Sequence, residues 1–108
     1  MRTLRAQLES TIERDTCRDA LQLYGVRSSK LVTPGDTGWP DHLFWIPGGR
    51  PTIIEFKREG EEPRPKQKYI HQLLRGWHYD VHVCDTKEEA LAIIRQALEA
   101  AGVSKTLD

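Results

Sequence analysis

Asp41, Glu55 and Lys57 are the residues of this 108-residue chain whose types and spacing could do chemistry. Thr52-Ile53-Ile54-Glu55-Phe56-Lys57 reads as a strand, rich in β-branched and aromatic side chains. Side chains alternate along a strand, so Glu55 and Lys57 share one face while Ile54 and Phe56 take the other. An edge strand carrying a solvated ion pair would account for that pattern by itself. Asp41 adds a second carboxylate. It begins a short strand after the Gly38-Trp39-Pro40 turn, with Leu43 to Ile46 as the apolar stretch, and the turn Pro47-Gly48-Gly49 then leads into the strand bearing Glu55. Strands joined by a tight turn are antiparallel neighbours, so Asp41 and Glu55 can meet near one end of the hairpin. Adjacent carboxylates repel unless a cation sits between them. Mg²⁺ is typically held by one or two carboxylates together with waters and phosphate oxygens. Such a site could offer a phosphodiester a Lewis acid and an activated water. Lys57 would then orient or deprotonate that water, or stabilise charge building on the phosphate.

The elements that must position these groups follow from periodicity. Leu4 to Tyr24 lacks Gly and Pro, repeats apolar residues at near-helical spacing and stops at Gly25, which predicts a helix. On a helical wheel Glu9 and Glu13 fall among Ile12, Thr16, Ala20 and Tyr24, on the face that should turn inward. A carboxylate aimed at a core is costly without a cation or hydrogen-bond donors. Val26 to Val32 is a further strand, and 33–40 is a loop dense in breakers. A helix is predicted from Lys66 to Gly76, with Tyr69, Ile70, Leu73 and Leu74 on one side. Tyr79 to Cys84 alternates as a strand, and Asp85 or Thr86 caps a last helix reaching Ala100. The order is helix, three strands, helix, strand, helix, which fits one mixed sheet flanked by helices, an α/β fold. Residues 1–102 form a single domain and 103–108 a frayed tail.

Bulk composition narrows the function classes. No apolar run approaches the ~18 residues of a membrane span, and no signal-peptide core opens the chain, so no membrane partner and a cytoplasmic location are expected. Formal net charge is zero. That counts against nucleic-acid binding at first sight, but site carboxylates cancel basic residues in the sum, and bound cations restore positive charge locally. Cys17 and Cys84 are far apart and read as reduced structural thiols. His42, His71, His78 and His82 show no zinc spacing and read as scattered surface or core histidines. There is neither a GxxxxGK[ST] phosphate loop nor a GxSxG elbow, so no nucleotide cofactor and no serine-esterase chemistry are expected.

Pro40-Asp41 followed by Glu55-Phe56-Lys57 matches the PD-(D/E)xK pattern of restriction-endonuclease-like nucleases. More specifically, Gly38-Trp39-Pro40-Asp41-His42-Leu43 resembles the Gly-x-Pro-Asp-x-Leu segment of the virus-type replication-repair nuclease (VRR-NUC) family. Gln67 stands where that family carries a glutamine at the start of a helix, and Glu9 resembles its acidic residue on the first helix. The resemblance runs from about Leu8 to Leu98. It implies a restriction-endonuclease-like core (αβββαβα) and dependence on Mg²⁺ or Mn²⁺. Asp41, Glu55 and the Phe56 backbone carbonyl would be metal ligands, with Glu9 a direct or water-mediated one and Glu13 its competitor. Lys57 would be the catalytic lysine, and Gln67 would position Lys57 or the substrate. Members consisting of this domain alone resemble phage proteins, which implies a bacterial host cytoplasm, a homodimer and action on branched DNA such as four-way junctions.

The basic residues Arg58, Arg64, Lys66 and Lys68 flank the site in sequence and could bind phosphates, although Glu59, Glu61 and Glu62 dilute the patch. Arg27 and Lys30 are weaker candidates. Trp39 could stack on a base or pin the loop before Asp41, whereas Trp45 and Trp77 read as packing residues. The expectation is a divalent-metal-dependent deoxyribonuclease. Its rivals are a nicking or restriction-type nuclease acting on linear duplex, and a non-catalytic nucleic-acid-binding or scaffold module on a nuclease fold.

Overall fold

A computed structural model of the chain describes residues 8–103. The chain forms α1 (Glu9–Tyr24), β1 (Ser28–Lys30), β2 (His42–Phe44), β3 (Thr52–Phe56), α2 (Pro65–Gly76), β4 (Asp80–Cys84) and α3 (Lys87–Ala100). This is the expected αβββαβα order. The four strands make one mixed sheet in the order β1-β2-β3-β4, antiparallel across the first two pairs and parallel between β3 and β4. β3 is therefore an interior strand, and all five of its residues are buried. The simpler account of Glu55 and Lys57 as a solvated pair on an edge strand does not hold.

Alternation along β3 divides the core in two. Ile54 and Phe56 pack with Phe44, with Ile12 and Ala20 of α1, and with Ala90, Ile94 and Leu98 of α3. Ile53 turns to the opposite face, against Ile70 and Leu74 of α2 and Val81 of β4. The sheet thus lies between α1 and α3 on one side and α2 on the other. Glu55 has the parity of Ile53, which sends a carboxylate toward α2. On α2 the inward residues are Ile70, His71 and Leu74, while Tyr69, expected on that side, is exposed.

Element boundaries depart from the sequence reading in small ways with local causes. Leu8 is the extended N-cap of α1, so the described helix begins at Glu9; the part of the expectation covering residues 4–7 lies outside the described residues. β1 and β2 are shorter than anticipated, although the Trp45 N–H still bonds the Arg27 carbonyl beyond them. Thr86 rather than Asp85 caps α3, its hydroxyl accepting from the Glu89 N–H at 3.1 Å. Val103, expected at the start of a frayed tail, is instead held. Gly102 adopts a left-handed conformation (φ 79°), the Val103 N–H bonds the Leu98 carbonyl at 2.7 Å, and Val103 packs on the larger core. This is a Schellman ending with its usual apolar contact. Residues 104–108 of the anticipated tail are outside the described residues.

Candidate active site

The β2–β3 register, with His42 opposite Ile54, brings Asp41 beside the end of β3. The Phe56 N–H donates to Asp41 Oδ2 at 2.8 Å, fixing that carboxylate against β3. Regular strand geometry sends the Phe56 carbonyl to the same edge of β3 as its N–H. Burial, and then the nearby charge of Glu55, lift the Asp41 carboxyl to about 6, with Glu13 adding to the rise and the Phe56 N–H opposing it. Asp41 and Glu55 are thus close enough to feel each other, as the hairpin argument anticipates.

The loop before Asp41 is set by one glycine. Gly38 has φ of +94°, and a Cβ there would lie 2.6 Å from Lys66 Cγ and 3.1 Å from the Lys66 carbonyl oxygen. The backbone therefore passes directly over the first turn of α2, in a conformation that favours glycine. Trp39 locks the same loop, its indole N–H donating to Asp36 Oδ2 at 2.7 Å, while Asp36 also pairs with Lys66 at 3.5 Å. Here Trp39 pins the loop, one of its two anticipated roles.

Glu55 is 1% exposed and Lys57 5% exposed, which makes their surroundings decisive. Lys57 Nζ lies 3.9 Å from Glu55 Oε2. The same oxygen accepts from the Gln67 side-chain amide at 3.0 Å, and the Gln67 carbonyl oxygen accepts from the Arg64 N–H at 2.7 Å. Gln67 therefore bonds Glu55, and α2 is tied to β3 through it. Glu55 Oε1 is buried without a hydrogen-bond partner among the described residues.

The helix carboxylates separate. Glu9 is exposed in the first turn of α1, where it lines a cleft of about 520 Å³ with Lys57, Arg58, Glu61, Glu62 and Arg64. Glu13 turns inward. Its Oε2 meets His42 Nδ1 at 2.5 Å and Lys30 Nζ at 2.9 Å, and its charge reaches Asp41. Burial opposes ionisation of Glu13, but His42 and Lys30 outweigh it and lower its pKa. Among the flanking basic residues, Lys66 and Lys68 pair with Asp36 and Glu62, whereas Arg58 and Arg64 line the cleft.

Two further groups belong to the site without a motif to mark them. His42, one of the histidines without zinc spacing, bridges Glu13 and Cys17, whose Sγ lies 3.4 Å from Nε2. Burial pulls down its pKa, but the bonds from Cys17 and Glu13 prevail and raise it to about 9. His71 is 1% exposed and lies against Glu55. Its position four residues after Gln67, on the same face of a helix, was the available signal.

A buried carboxylate with an oxygen that has no partner among the described residues, beside a half-buried one pushed up by desolvation and by its neighbour's charge, is a donor set that a small hard cation fits. Among the described residues no three His, Cys, Asp or Glu side chains converge as a metal-binding group, so backbone oxygen, water or phosphate would complete the coordination.

No family model matches the chain. The chain is 33% identical over 80 residues to a protein of Acyrthosiphon pisum secondary endosymbiont phage 1 named "Putative nuclease p44", a match spanning 74% of this chain and 85% of that one. Its fold is similar to a solved structure described as "VRR_NUC domain", with a TM-score of 0.70 and 25% identity over 81% of this chain and 94% of the other.

Proposed function

The chain belongs to the VRR-NUC family of nucleases, and from that premise we propose that it is a divalent-metal-dependent endonuclease acting on DNA. The observation that carries the reading is the juxtaposition of half-buried Asp41 and buried Glu55, two carboxylates whose mutual repulsion calls for a cation, with Lys57 beside Glu55. Asp41, Glu55 and the Phe56 carbonyl would hold Mg²⁺ or Mn²⁺, with Glu9 or Glu13 contributing from α1 through a water. A bound divalent cation supplies Lewis-acid stabilisation of charge on the scissile phosphate and favours ionisation of a water.

The chain's own residues do the rest. The Phe56 N–H and the Gln67 amide fix the two carboxylates before substrate arrives, which is the preorganisation that electrostatic catalysis requires. The Lys57 ammonium, projecting from the same face of β3 as Glu55, orients the attacking water or neutralises charge on the phosphate. Arg58 and Arg64 line the neighbouring cleft, where they would contact backbone phosphates.

Branched DNA such as a four-way junction is the proposed substrate, and a homodimer the proposed assembly. Two-fold symmetry would present two sites to two strands. The exposed aromatic side chains Tyr69, Trp77 and Tyr79, together with the apolar depression formed by Leu31, Trp39 and Leu43, support such an association.

The test is cleavage of a labelled four-way junction beside matched linear duplex, single strand and flap, with Mg²⁺, Mn²⁺ or EDTA. Metal-dependent cutting of the junction, abolished by Lys57→Ala, is expected. Cutting of linear or flapped DNA alone would discard the junction preference and keep the site. No cutting of any substrate would replace the enzyme with a non-catalytic nucleic-acid-binding module.

A further inference from the structure

We propose that His71 is a positioning residue for Glu55, its imidazole Nε2–H holding Glu55 Oε1 so that the carboxylate keeps the orientation that binds a divalent cation. The inference rests on the metal-dependent reading of the site. Gln67 and His71 stand one turn apart on α2, on the helix face that meets β3. Gln67 already holds Glu55 Oε2, and its own carbonyl is pinned by the Arg64 N–H. The other oxygen, Oε1, lies 3.6 Å from His71 Nε2. Both residues are 1% exposed, and neither of these two atoms has a hydrogen-bond partner among the described residues.

Two facing polar atoms, each partnerless and shut away from water, are an expensive arrangement, because an unmade buried bond costs more than a made one contributes. A movement of roughly 0.6 Å would bring them to ordinary N–H···O distance. With that bond made, α2 clamps both oxygens of one carboxylate from two points on a rigid helix, and the rotation of Glu55 about its last torsion is stopped. Lys57 cannot do this, since it approaches Oε2. A carboxylate held at both oxygens keeps its remaining lone pairs in one fixed orientation. Partners that orient a ligand in this way usually change metal affinity by about 10- to 100-fold when removed.

The experiment is calorimetric titration of Mn²⁺ into DNA-free protein, comparing wild type with His71→Leu, His71→Gln and Asp41→Ala. His71→Leu, which fills the space without a donor, is expected to weaken Mn²⁺ by about tenfold or more. His71→Gln, which keeps an N–H donor at similar reach, should restore most of that loss. Unchanged affinity in His71→Leu, with wild type binding and Asp41→Ala not binding, would overturn the role of His71 and leave the metal site standing. Wild type that binds no Mn²⁺ would overturn the metal-dependent reading and this proposal with it. A long-range ¹H–¹⁵N spectrum of the unaltered protein is independent of any variant. A proton on His71 Nε2 is expected, and a bare Nε2 would overturn the proposal.

Discussion

The Asp41 carboxylate accepts the Phe56 N–H at 2.8 Å, so the acid that precedes β2 is moored to the last residue of β3. The mooring holds it in a place it does not favour. Burial and the charge of Glu55 raise its carboxyl from 3.8 to about 6, and Glu13 adds to the strain. A group whose folded pKa is raised contributes stability that is present below its unfolded value and lost as pH rises through the folded one. Above pH 6 the metal-free protein therefore carries an ionised Asp41 at a cost. Asp41→Asn keeps an oxygen for the Phe56 N–H and removes the charge. At pH 7.5 without metal it should be more stable than wild type by about 1–2 kcal/mol, after discounting for solvent screening. Urea denaturation measures this, and the same variant should fail to cleave DNA. A less stable Asp41→Asn would mean that its carboxylate is not strained.

The same proton competes with the cation. With Asp41 titrating at about 6, apparent Mn²⁺ affinity should fall by about tenfold per pH unit below that value and flatten above it. Titrations between pH 5 and 8 would show the break, and a profile flat through pH 6 would remove Asp41 from the binding group.

The hairpin that unites Asp41 with Glu55 could be read from the sequence because turn chemistry and strand alternation are local. So could the αβββαβα order. His71 could not be weighed properly, because its significance depends on how α2 packs across β3, and no local pattern states that. Glu9 and Glu13 were inseparable for a related reason. Both fall on the inward arc of α1, but only Glu13 lies deep enough to meet β2, while Glu9 emerges at the helix start. The length of β1 and β2 depended on long-range pairing, and Val103 on whether a glycine one residue earlier would close the helix end.

Gly38→Ala tests the loop that delivers Asp41. An alanine would need φ of +94° and would meet Lys66 backbone as well as side chain. Destabilisation of roughly 1–3 kcal/mol is expected, with cleavage reduced beyond the loss of folded protein because Asp41 shifts relative to Glu55. Thermal melts and single-turnover cleavage on the same preparation check both parts, and an alanine variant of wild-type stability would show that the loop can move off α2.

Glu13 and Glu9 should behave differently when neutralised. Glu13 helps raise His42 to about 9, so this pair contributes stability below pH 6.5 that is lost as pH rises through 9. Glu13→Gln should lose roughly 1–2 kcal/mol at pH 6.5, discounted because its other partner, Lys30, is exposed and screened by solvent, and much less at pH 9.5. Glu9→Gln should leave stability unchanged at both values, because Glu9 is exposed at the cleft rim. If Glu9 contributes to the metal site, its variant will instead weaken Mn²⁺ binding. Denaturation at two pH values beside calorimetry distinguishes the roles.

Arg58 and Arg64 should carry more of the DNA contact than Lys66 and Lys68. All four are exposed, but the lysines already face Asp36 and Glu62, and engaging a phosphate would require giving up those partners. The arginines line the cleft that contains Lys57. Each phosphate contact to duplex DNA contributes about 0.9 to the slope of log affinity against log salt. Replacing both arginines by alanine should therefore lower that slope by up to about 2, whereas the double lysine variant should change it little. Fluorescence anisotropy with a labelled duplex-armed junction, in Ca²⁺ to limit cutting, gives the slopes directly. Equal slopes for wild type and the arginine variant would place the DNA on another face of the protein.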